Sequence, residues 1–264
     1  MDYKIAGRRA LVTGSTTGIG FATIVGLARE GASVIVNGRH EGGVNAAIAR
    51  LKSIVPNVKA EGIAADAASA EGAKSMVGRF PDIDILVNNL GKYERKGFFE
   101  TSDEDWVHFF EFNVLSGIRL ARAYGEGMRR RGWGRIVFIS SESGLLVPVE
   151  MINYGVSKTA QIAVARGLAR ELSGGGVTVN SVLPGPTATE GINQMLVDDS
   201  QRTGKSAKQL EQEFFVGARP TSLIQRFAST EEIANMIVYV CSEAASATTG
   251  AALRVEGGIV TGLG

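Results

Sequence analysis

The sequence is poor in the residues that make disulfides and metal sites. Its 264 residues include one cysteine, Cys241, and two histidines, His40 and His108, which lie far apart. A lone cysteine excludes an intrachain disulfide framework, and two scattered histidines lack the ligand spacing of an ordinary metal cluster. We therefore expect no metal site, and we expect Cys241 to pack as a small apolar residue.

Net charge and long apolar runs are also missing. The formal charge is +1 with basic and acidic residues interspersed, which leaves no broad positive field for a nucleic-acid backbone. The N-terminal stretch MDYKIAGRRA is charged, and no apolar run approaches the roughly 18 residues of a membrane-spanning helix. These absences predict a soluble cytoplasmic protein without nucleic-acid or membrane partners. Because 44% of the residues are hydrophobic, we expect residues 1–264 to form a single domain with one large core.

What the chain does contain is a regular alternation of short apolar runs and amphipathic segments. Continuous apolar strands that alternate with helices predict an α/β fold with a doubly wound parallel sheet, covered on both faces and joined by right-handed crossovers. The predicted strands are residues 9–13, 33–37, 59–64, 84–88, 134–140, 177–182 and 251–255. The predicted helices are residues 20–27, 44–54, 70–80, one or two segments within 103–131, 154–173 and 230–242.

One segment interrupts this alternation. Residues 187–226 are rich in polar side chains and contain no predicted strand. Long segments of this kind in compact domains are often functional, so we interpret the segment as a small helical insertion or lid over a site. A plain surface excursion is the alternative.

Tyr154 and Lys158 form the most chemically suggestive pair. On a helix that begins near residue 154 they lie one turn apart on the same face. A nearby cation favours the phenolate, so Lys158 is expected to lower the pKa of Tyr154 and let it exchange a proton with a substrate oxygen. A buried ring beside a solvated amine is the structural alternative.

The first predicted strand is followed by a glycine-rich turn. Its glycines at positions 14, 18 and 20 allow a tight turn and a close approach of a pyrophosphate to the N-terminus of the next helix. The spacing GxxxGxG differs from the GxGxxG fingerprint. A turn kept only for packing is the alternative to a dinucleotide site.

The end of the second strand bears on the choice of nucleotide. It reads Asn37-Gly38-Arg39, and no carboxylate precedes Glu41 to bind a ribose 2′-hydroxyl. We therefore expect NADP(H), with Arg39 as the partner of the 2′-phosphate. If Arg39 is only a solvated loop residue, NAD(H) remains possible. Asp66, after the third strand, is placed to meet an adenine edge or to cap the helix that follows.

Several motifs together resemble the short-chain dehydrogenase/reductase family in its single-domain form. They are Thr13-Gly-x-x-x-Gly-Ile-Gly20, Asn88-Asn89-Leu90-Gly91, Asn113, Ser141, Tyr154-x-x-x-Lys158 and Pro184-Gly185-x-x-x-Thr189. The resemblance implies a Rossmann-type sheet of about seven strands in the order 3-2-1-4-5-6-7. It also implies a set of cofactor-binding residues: Gly14, Ser15, Thr16, Thr17, Gly18, Ile19, Gly20, Arg39, Asp66, Asn89, Gly91, Tyr154, Lys158, Pro184, Gly185, Thr187 and Thr189.

The resemblance further implies roles for four residues. Tyr154 would donate or accept the proton, and Lys158 would bind the nicotinamide ribose and lower the pKa of the tyrosine. Ser141 would hold the substrate oxygen, and Asn113 would anchor a water in a proton relay. In that family the helix over residues 102–113 and the helix from Tyr154 commonly pair between subunits, which implies a homotetramer or homodimer.

Three functions follow from these patterns. The first is NADPH-dependent reduction of a ketone or of a 3-oxoacyl group, with a carrier protein as a possible partner of the run Arg129-Arg130-Arg131; a charged helix end explains that run equally. The second is NAD-dependent oxidation of a polyol, sugar or secondary alcohol. The third is a nucleotide-sensing protein without catalysis. Leu90 and Thr17 depart from the family pattern, and Thr17 leaves the 2′-phosphate largely to Arg39.

Overall fold

A single seven-stranded sheet organises the protein in the computed structural model, which describes residues 2–262. All pairings between neighbouring strands are parallel, in the order β3-β2-β1-β4-β5-β6-β7. The strands are β1 (Arg9–Val12), β2 (Ser33–Gly38), β3 (Ala60–Ala64), β4 (Ile85–Asn88), β5 (Gly134–Ile139), β6 (Val177–Pro184) and β7 (Ala252–Val255). The predicted fold class and strand order are confirmed.

Helices cover both faces of this sheet. They are α1 (Gly18–Arg29), α2 (Glu41–Ile54), α3 (Ala70–Arg79), α4 (Asp103–Phe110), α5 (Ser116–Arg131), α6 (Ile152–Glu171), α7 (Glu190–Thr203), α8 (Ala207–Gly217) and α9 (Thr230–Val240). Successive strand residues point to opposite faces, so Val34 and Val36 join a core with α1, α2 and α9, whereas Ile35 joins a core with α3, α5 and α6.

The helix boundaries differ from the prediction at informative places. Helix α1 begins at Gly18, two residues early, because the last glycine of the turn already belongs to the first helical turn. The segment 103–131 is divided by one π-helical turn, Glu111–Leu115, between α4 and α5. Such turns often occur at functional sites, and this one contains Asn113. Helix α6 starts at Ile152 and therefore carries Tyr154 in its first turn.

Residues 187–226 fold into the helices α7 and α8. Thr189 caps α7 by accepting a hydrogen bond from the backbone of Ile192, and Ser206 and Gln209 form a capping box at α8. Gly204 adopts a left-handed conformation (φ +73°) between the two helices. The hairpin of helices lies after β6, at the edge where the parallel strands end.

Two expected absences can be compared with the described residues. None of the helices within residues 2–262 is both long and apolar enough to cross a membrane. Across the same range, no group of three or more histidine, cysteine, aspartate or glutamate residues has the geometry to hold a metal ion. Cys241 is fully buried in the core, as predicted.

Candidate active site

The glycine turn between β1 and α1 is shaped by close contacts that exclude side chains. Gly14 and Gly18 have positive φ values of +59° and +57°. A Cβ atom on Gly20 would lie 2.5 Å from the Gly14 carbonyl oxygen and 2.6 Å from Nδ2 of Asn89. The three glycines are thus needed for the backbone path itself. The turn leads into the N-terminus of α1, which is the arrangement that binds a pyrophosphate.

Hydrogen bonds to two neighbouring strands hold this turn in place. The Thr13 hydroxyl accepts from the backbone N–H groups of Asn89 and Leu90, both at 3.0 Å, and the Asn89 amide donates to the Thr13 and Gly14 carbonyls. Ser15 is fully buried and its hydroxyl accepts from the Asn37 N–H at 3.0 Å. The side chain of Ser15 therefore fastens the turn to β2, while Asn89 fastens it to β4.

Arg39 and Asp66 line the same cavity. It has a volume of about 790 Å³ and is also lined by Leu90 and Gly91. Asp66 accepts from the backbone of Ala68, but Ser69 is the residue that caps α3, so the capping alternative for Asp66 is wrong. An exposed guanidinium, an exposed carboxylate and an apolar wall fit the adenosine end of NADP(H).

A second cavity, next to the first, contains the predicted catalytic side chains. A cavity of about 410 Å³ is lined by Ser141, Tyr154 and Lys158, and it shares Gly91 with the Arg39 cavity. Ser141 lies two residues after β5, and the other two side chains come from the first two turns of α6. The ammonium of Lys158 lies 5.6 Å from the centre of the Tyr154 ring and donates to the Ile139 carbonyl at 2.9 Å. The elements therefore bring together three of the four predicted catalytic residues.

The protonation states at this site differ from the expectation. Burial among protein atoms raises the pKa of Tyr154, although part of the residue stays accessible from the cavity; hydrogen bonding with Ser141 opposes the rise, and the Glu142 charge adds to it. Burial also lowers the pKa of Lys158 from 10.5 to about 7. The prediction that Lys158 lowers the pKa of Tyr154 is thus wrong for this structure, because desolvation disfavours both charged forms.

Asn113, the fourth predicted catalytic residue, is fully buried behind the cavity. Its amide nitrogen donates to the Ser157 hydroxyl at 2.9 Å and to the Lys92 carbonyl at 3.0 Å, and its oxygen accepts from the Lys92 N–H at 2.8 Å. The Asn113 carbonyl accepts from Gln161 at 2.6 Å. In this structure Asn113 joins the segment after β4 to α6, and its part in a water relay remains a prediction.

The remaining predicted cofactor residues surround the cleft. Ile19, Asn89, Pro184, Gly185, Thr187 and Thr189 line the 410 Å³ cavity. Gly185 is required by packing, since a Cβ there would lie 2.7 Å from the Glu256 carbonyl oxygen. The Thr16 methyl carbon lies 2.6 Å from the position that a Cβ atom on Gly38 would occupy. Thr17 is the exposed N-cap residue of α1.

Three charged residues of the cavity region were missed by the sequence analysis. Glu142, directly after Ser141, is 4% exposed and lines the cavity with Arg219, which follows α8. Nε of Arg219 lies 3.1 Å from one Glu142 oxygen, and its Nη1 lies 3.6 Å from Glu150. A carboxylate at the end of a buried strand is a visible signal in the sequence. Its partner, 77 positions away, has no local pattern that could have revealed it.

Comparisons with known proteins agree with this architecture. The family described as short chain dehydrogenase matches residues 8–200. An uncharacterised oxidoreductase of Bacillus subtilis, YvaG, is 42% identical over 98% of each chain, and the 3-oxoacyl-(acyl-carrier-protein) reductase of Aquifex aeolicus is 33% identical over 98% of this chain and 100% of its own. The crystal structure of L-sorbose reductase from Gluconobacter frateurii, complexed with NADPH and L-sorbose, is 34% identical with full coverage of both chains and a TM-score of 0.92. The match to the family over most of the chain, together with these relatives, establishes that the chain belongs to the short-chain dehydrogenase family and is an oxidoreductase.

Proposed function

We propose that the protein is an NADPH-dependent reductase that converts a ketone into a secondary alcohol. The observation that carries this proposal is the meeting of Ser141 and Tyr154 at one cavity, with the pKa of Tyr154 raised by burial. A phenol that stays protonated at neutral pH is the form that donates a proton to a carbonyl oxygen.

Each residue has a distinct task in this reaction. NADPH supplies the hydride that reduces the carbonyl carbon. The Ser141 hydroxyl donates a hydrogen bond to the carbonyl oxygen, and Tyr154 transfers its proton to that oxygen as negative charge develops. Lys158, whose ammonium lies beside the Tyr154 ring, holds the nicotinamide end of the nucleotide.

Arg39 supports NADPH over NADH. No carboxylate lies between the end of β2 and Glu41, and Arg39 is exposed at the cavity that would receive the adenosine. A guanidinium suits a phosphate because its donors match the phosphate oxygens. The NADPH found in the L-sorbose reductase crystal structure supports the same choice.

The substrate is proposed to be a small polar ketone. The similarity to L-sorbose reductase extends over the whole chain, including residues 187–226. A carrier-bound 3-oxoacyl substrate has less support, because the side chains of Arg129 and Arg131 pair with Glu126 and Asp82 and thus behave as a charged helix end. The reverse reaction, oxidation of a polyol, would use the same residues, with Tyr154 accepting the proton.

A lid function for residues 187–226 follows from the lining of the cavity. Ile192, Met195, Phe214 and Arg219 all come from this segment and face the catalytic residues across the cavity. We propose that the segment closes over bound substrate, and that the chain forms one domain, because both cores pack on the same sheet.

The proposed assembly is a homotetramer or homodimer. Val107 and Phe110 on α4 are 65% and 44% exposed, and Val156 on α6 is 44% exposed. Apolar residues exposed on adjacent helices favour burial against a second copy. Sedimentation should give the mass of two or four copies, and a stable monomer at micromolar concentration would contradict the proposal.

A nucleotide titration followed by a carbonyl panel tests the function. NADPH should bind at least about tenfold more tightly than NADH, as expected for one charge-assisted contact to the 2′-phosphate. The purified protein should then oxidise NADPH in the presence of small hydroxylated ketones. Equal binding of NADH would remove Arg39 from its role, and the absence of hydride transfer with every ketone and alcohol would favour a nucleotide sensor instead.

A further inference from the structure

The Glu142 carboxylate is a buried charge in the active-site wall to which the proposed reaction gives no task. Its oxygen Oε1 accepts from Nε of Arg219 at 3.1 Å, and its oxygen Oε2 accepts from the Ser141 hydroxyl at 2.5 Å. Within residues 2–262, the hydrogen bond to Oε2 of Glu142 is donated by Ser141. The carboxylate therefore touches residues 187–226 on one side and the site for the substrate oxygen on the other.

The cation beside Glu142 is already neutralised. Arg219 lies between the carboxylates of Glu142 and Glu150, at 3.1 and 3.6 Å, and it also donates to the Ala218 carbonyl. Together, Arg219, Glu142 and Glu150 carry a net charge of minus one. The guanidinium of Arg219 is therefore not free to bind an anionic substrate. The wall next to Ser141 thus accepts hydrogen bonds and repels a carboxylate.

Substrate binding creates a conflict over the single proton of Ser141. The Ser141 hydroxyl is hydrogen-bonded to Glu142 in this structure, yet the proposed reaction needs its proton for the carbonyl oxygen. When the Ser141 hydroxyl turns to the substrate, Oε2 of Glu142 loses its donor inside a buried site. A buried carboxylate oxygen without a donor is costly, so a substrate that brings its own donor to Oε2 is favoured.

The position of the required donor follows from the hydrogen-bond lengths. Oε2 and the carbonyl oxygen are both one hydrogen bond from the same hydroxyl oxygen, Oγ of Ser141, so they lie at most about 5 Å apart. A hydroxyl on the carbon next to the carbonyl has its oxygen within one hydrogen-bond length of the carbonyl oxygen when the two C–O bonds lie on the same side of the bond between their carbons. From that position the substrate hydroxyl can donate a hydrogen bond to Oε2 of Glu142.

We propose that Glu142 is a specificity-determining residue that accepts a hydrogen bond from a hydroxyl on the carbon next to the reacting carbonyl. The substrates are accordingly 2-hydroxy ketones, and the products are vicinal diols. This inference rests on the proposed carbonyl reduction and deepens it by naming the substrate class. Arg219 acts as a positioning residue that fixes the orientation of the carboxylate.

Three ketones of nearly equal size test the inference on the unchanged protein. The first is 1-hydroxy-2-butanone. In 3-pentanone a methyl group replaces its hydroxyl, and in 2-oxobutanoate a carboxylate replaces its hydroxymethyl group. With NADPH, kcat/KM for the hydroxy ketone should exceed that for 3-pentanone by about 10- to 100-fold, the range expected when a buried acceptor loses its donor. It should exceed that for 2-oxobutanoate by at least as much, because of charge repulsion.

Two variants separate hydroxyl recognition from the ion pair to Arg219. Glu142→Ala removes the acceptor, and the ratio of kcat/KM for 1-hydroxy-2-butanone to that for 3-pentanone should fall to within about threefold, since no acceptor then distinguishes them. Glu150→Gln is the matched control, because it weakens the second ion pair of Arg219 without touching Ser141. Its ratio should equal that of the wild-type protein.

The possible outcomes each decide a question. A wild-type preference below threefold, reduction of 2-oxobutanoate as efficient as that of the hydroxy ketone, or a preference that survives Glu142→Ala would overturn the inference while leaving ketone reduction intact. If none of these ketones and no member of a wider panel is reduced, the proposed function fails and the inference fails with it. Because the ranking uses unchanged protein, it is decisive even if Glu142→Ala does not fold.

Discussion

The burial of Lys158 should cost the protein stability, and Lys158→Met is the substitution that exposes this cost. Lys158 is 3% exposed, and burial lowers the pKa of its ammonium from 10.5 to about 7. Methionine has a similar length and no charge, so it fills the same space without the desolvation penalty. It also leaves the Ile139 carbonyl without its donor, which offsets part of the gain.

The dependence of this cost on pH has a definite sign. Between pH 7 and 10.5 the unfolded chain holds the Lys158 proton while the folded chain has released it, so unfolding binds protons and stability rises with pH. The penalty is fully present below about pH 7 and disappears as the pH approaches 10.5. At roughly 1.4 kcal/mol per pKa unit its upper bound is about 5 kcal/mol, and linkage reduces it by roughly half between pH 6 and pH 9.

Thermal unfolding of the two proteins at equal concentration measures this difference. For a chain of this length about 1 kcal/mol corresponds to roughly 2 °C in Tm, so the advantage of Lys158→Met should be about 5 °C larger near pH 6 than near pH 9. Lys52→Met, at an exposed position on α2, is the control and should show no such dependence. An advantage that is constant with pH, or larger near pH 9, would refute the assignment of a buried, easily deprotonated lysine.

Three further substitutions test the catalytic and nucleotide sites. Tyr154→Phe should lower kcat at least about a thousandfold while the Kd for NADPH stays within about twofold, because the phenol donates the proton; turnover within tenfold of the wild type would end its assignment. Gly20→Ala should weaken NADPH binding at least about tenfold, as measured by fluorescence, because its Cβ would lie 2.5 Å from the Gly14 carbonyl oxygen. Gly78→Ala is the control and should leave binding unchanged, because the space around Gly78 is open. Arg39→Gln should raise KM for NADPH about tenfold or more and leave KM for NADH unchanged; equal changes would remove the 2′-phosphate contact.

Features of the chain that depend on neighbours in sequence were predictable. The positions of all seven strands followed from apolar runs and turn residues, whereas the strand order followed from the resemblance to the family. Tyr154 and Lys158 were predicted to be neighbours because they lie one helical turn apart, and the resemblance to the family added Ser141 to the same site. At this level periodicity and motif spacing carry the information.

Features that depend on distant packing were not predictable. The pairing of Glu142 with Arg219 joins the segment after β5 to the loop after α8, and no local pattern in the sequence links these two positions. The π-helical turn around Asn113 inserts one extra residue per turn into an otherwise helical sequence, and local propensity does not distinguish it. The direction of the Tyr154 pKa was also mistaken, since spacing reveals a neighbouring charge but not the desolvation of both groups.

The raised pKa of Tyr154 bears on the roles of the ionisable groups in this site. A lysine that lowered the phenol pKa would have to remain charged among the same protein atoms, and burial opposes this by bringing its own pKa to about 7. The protein without nucleotide therefore holds a protonated tyrosine beside a lysine that gains or loses its charge near neutral pH. The carboxylate of Glu142 lies in the wall of the same cavity, 3.1 Å from Arg219. In the proposed reaction Tyr154 donates the proton, and in the proposed substrate recognition the carboxylate beside Ser141 selects ketones by the hydroxyl next to the carbonyl.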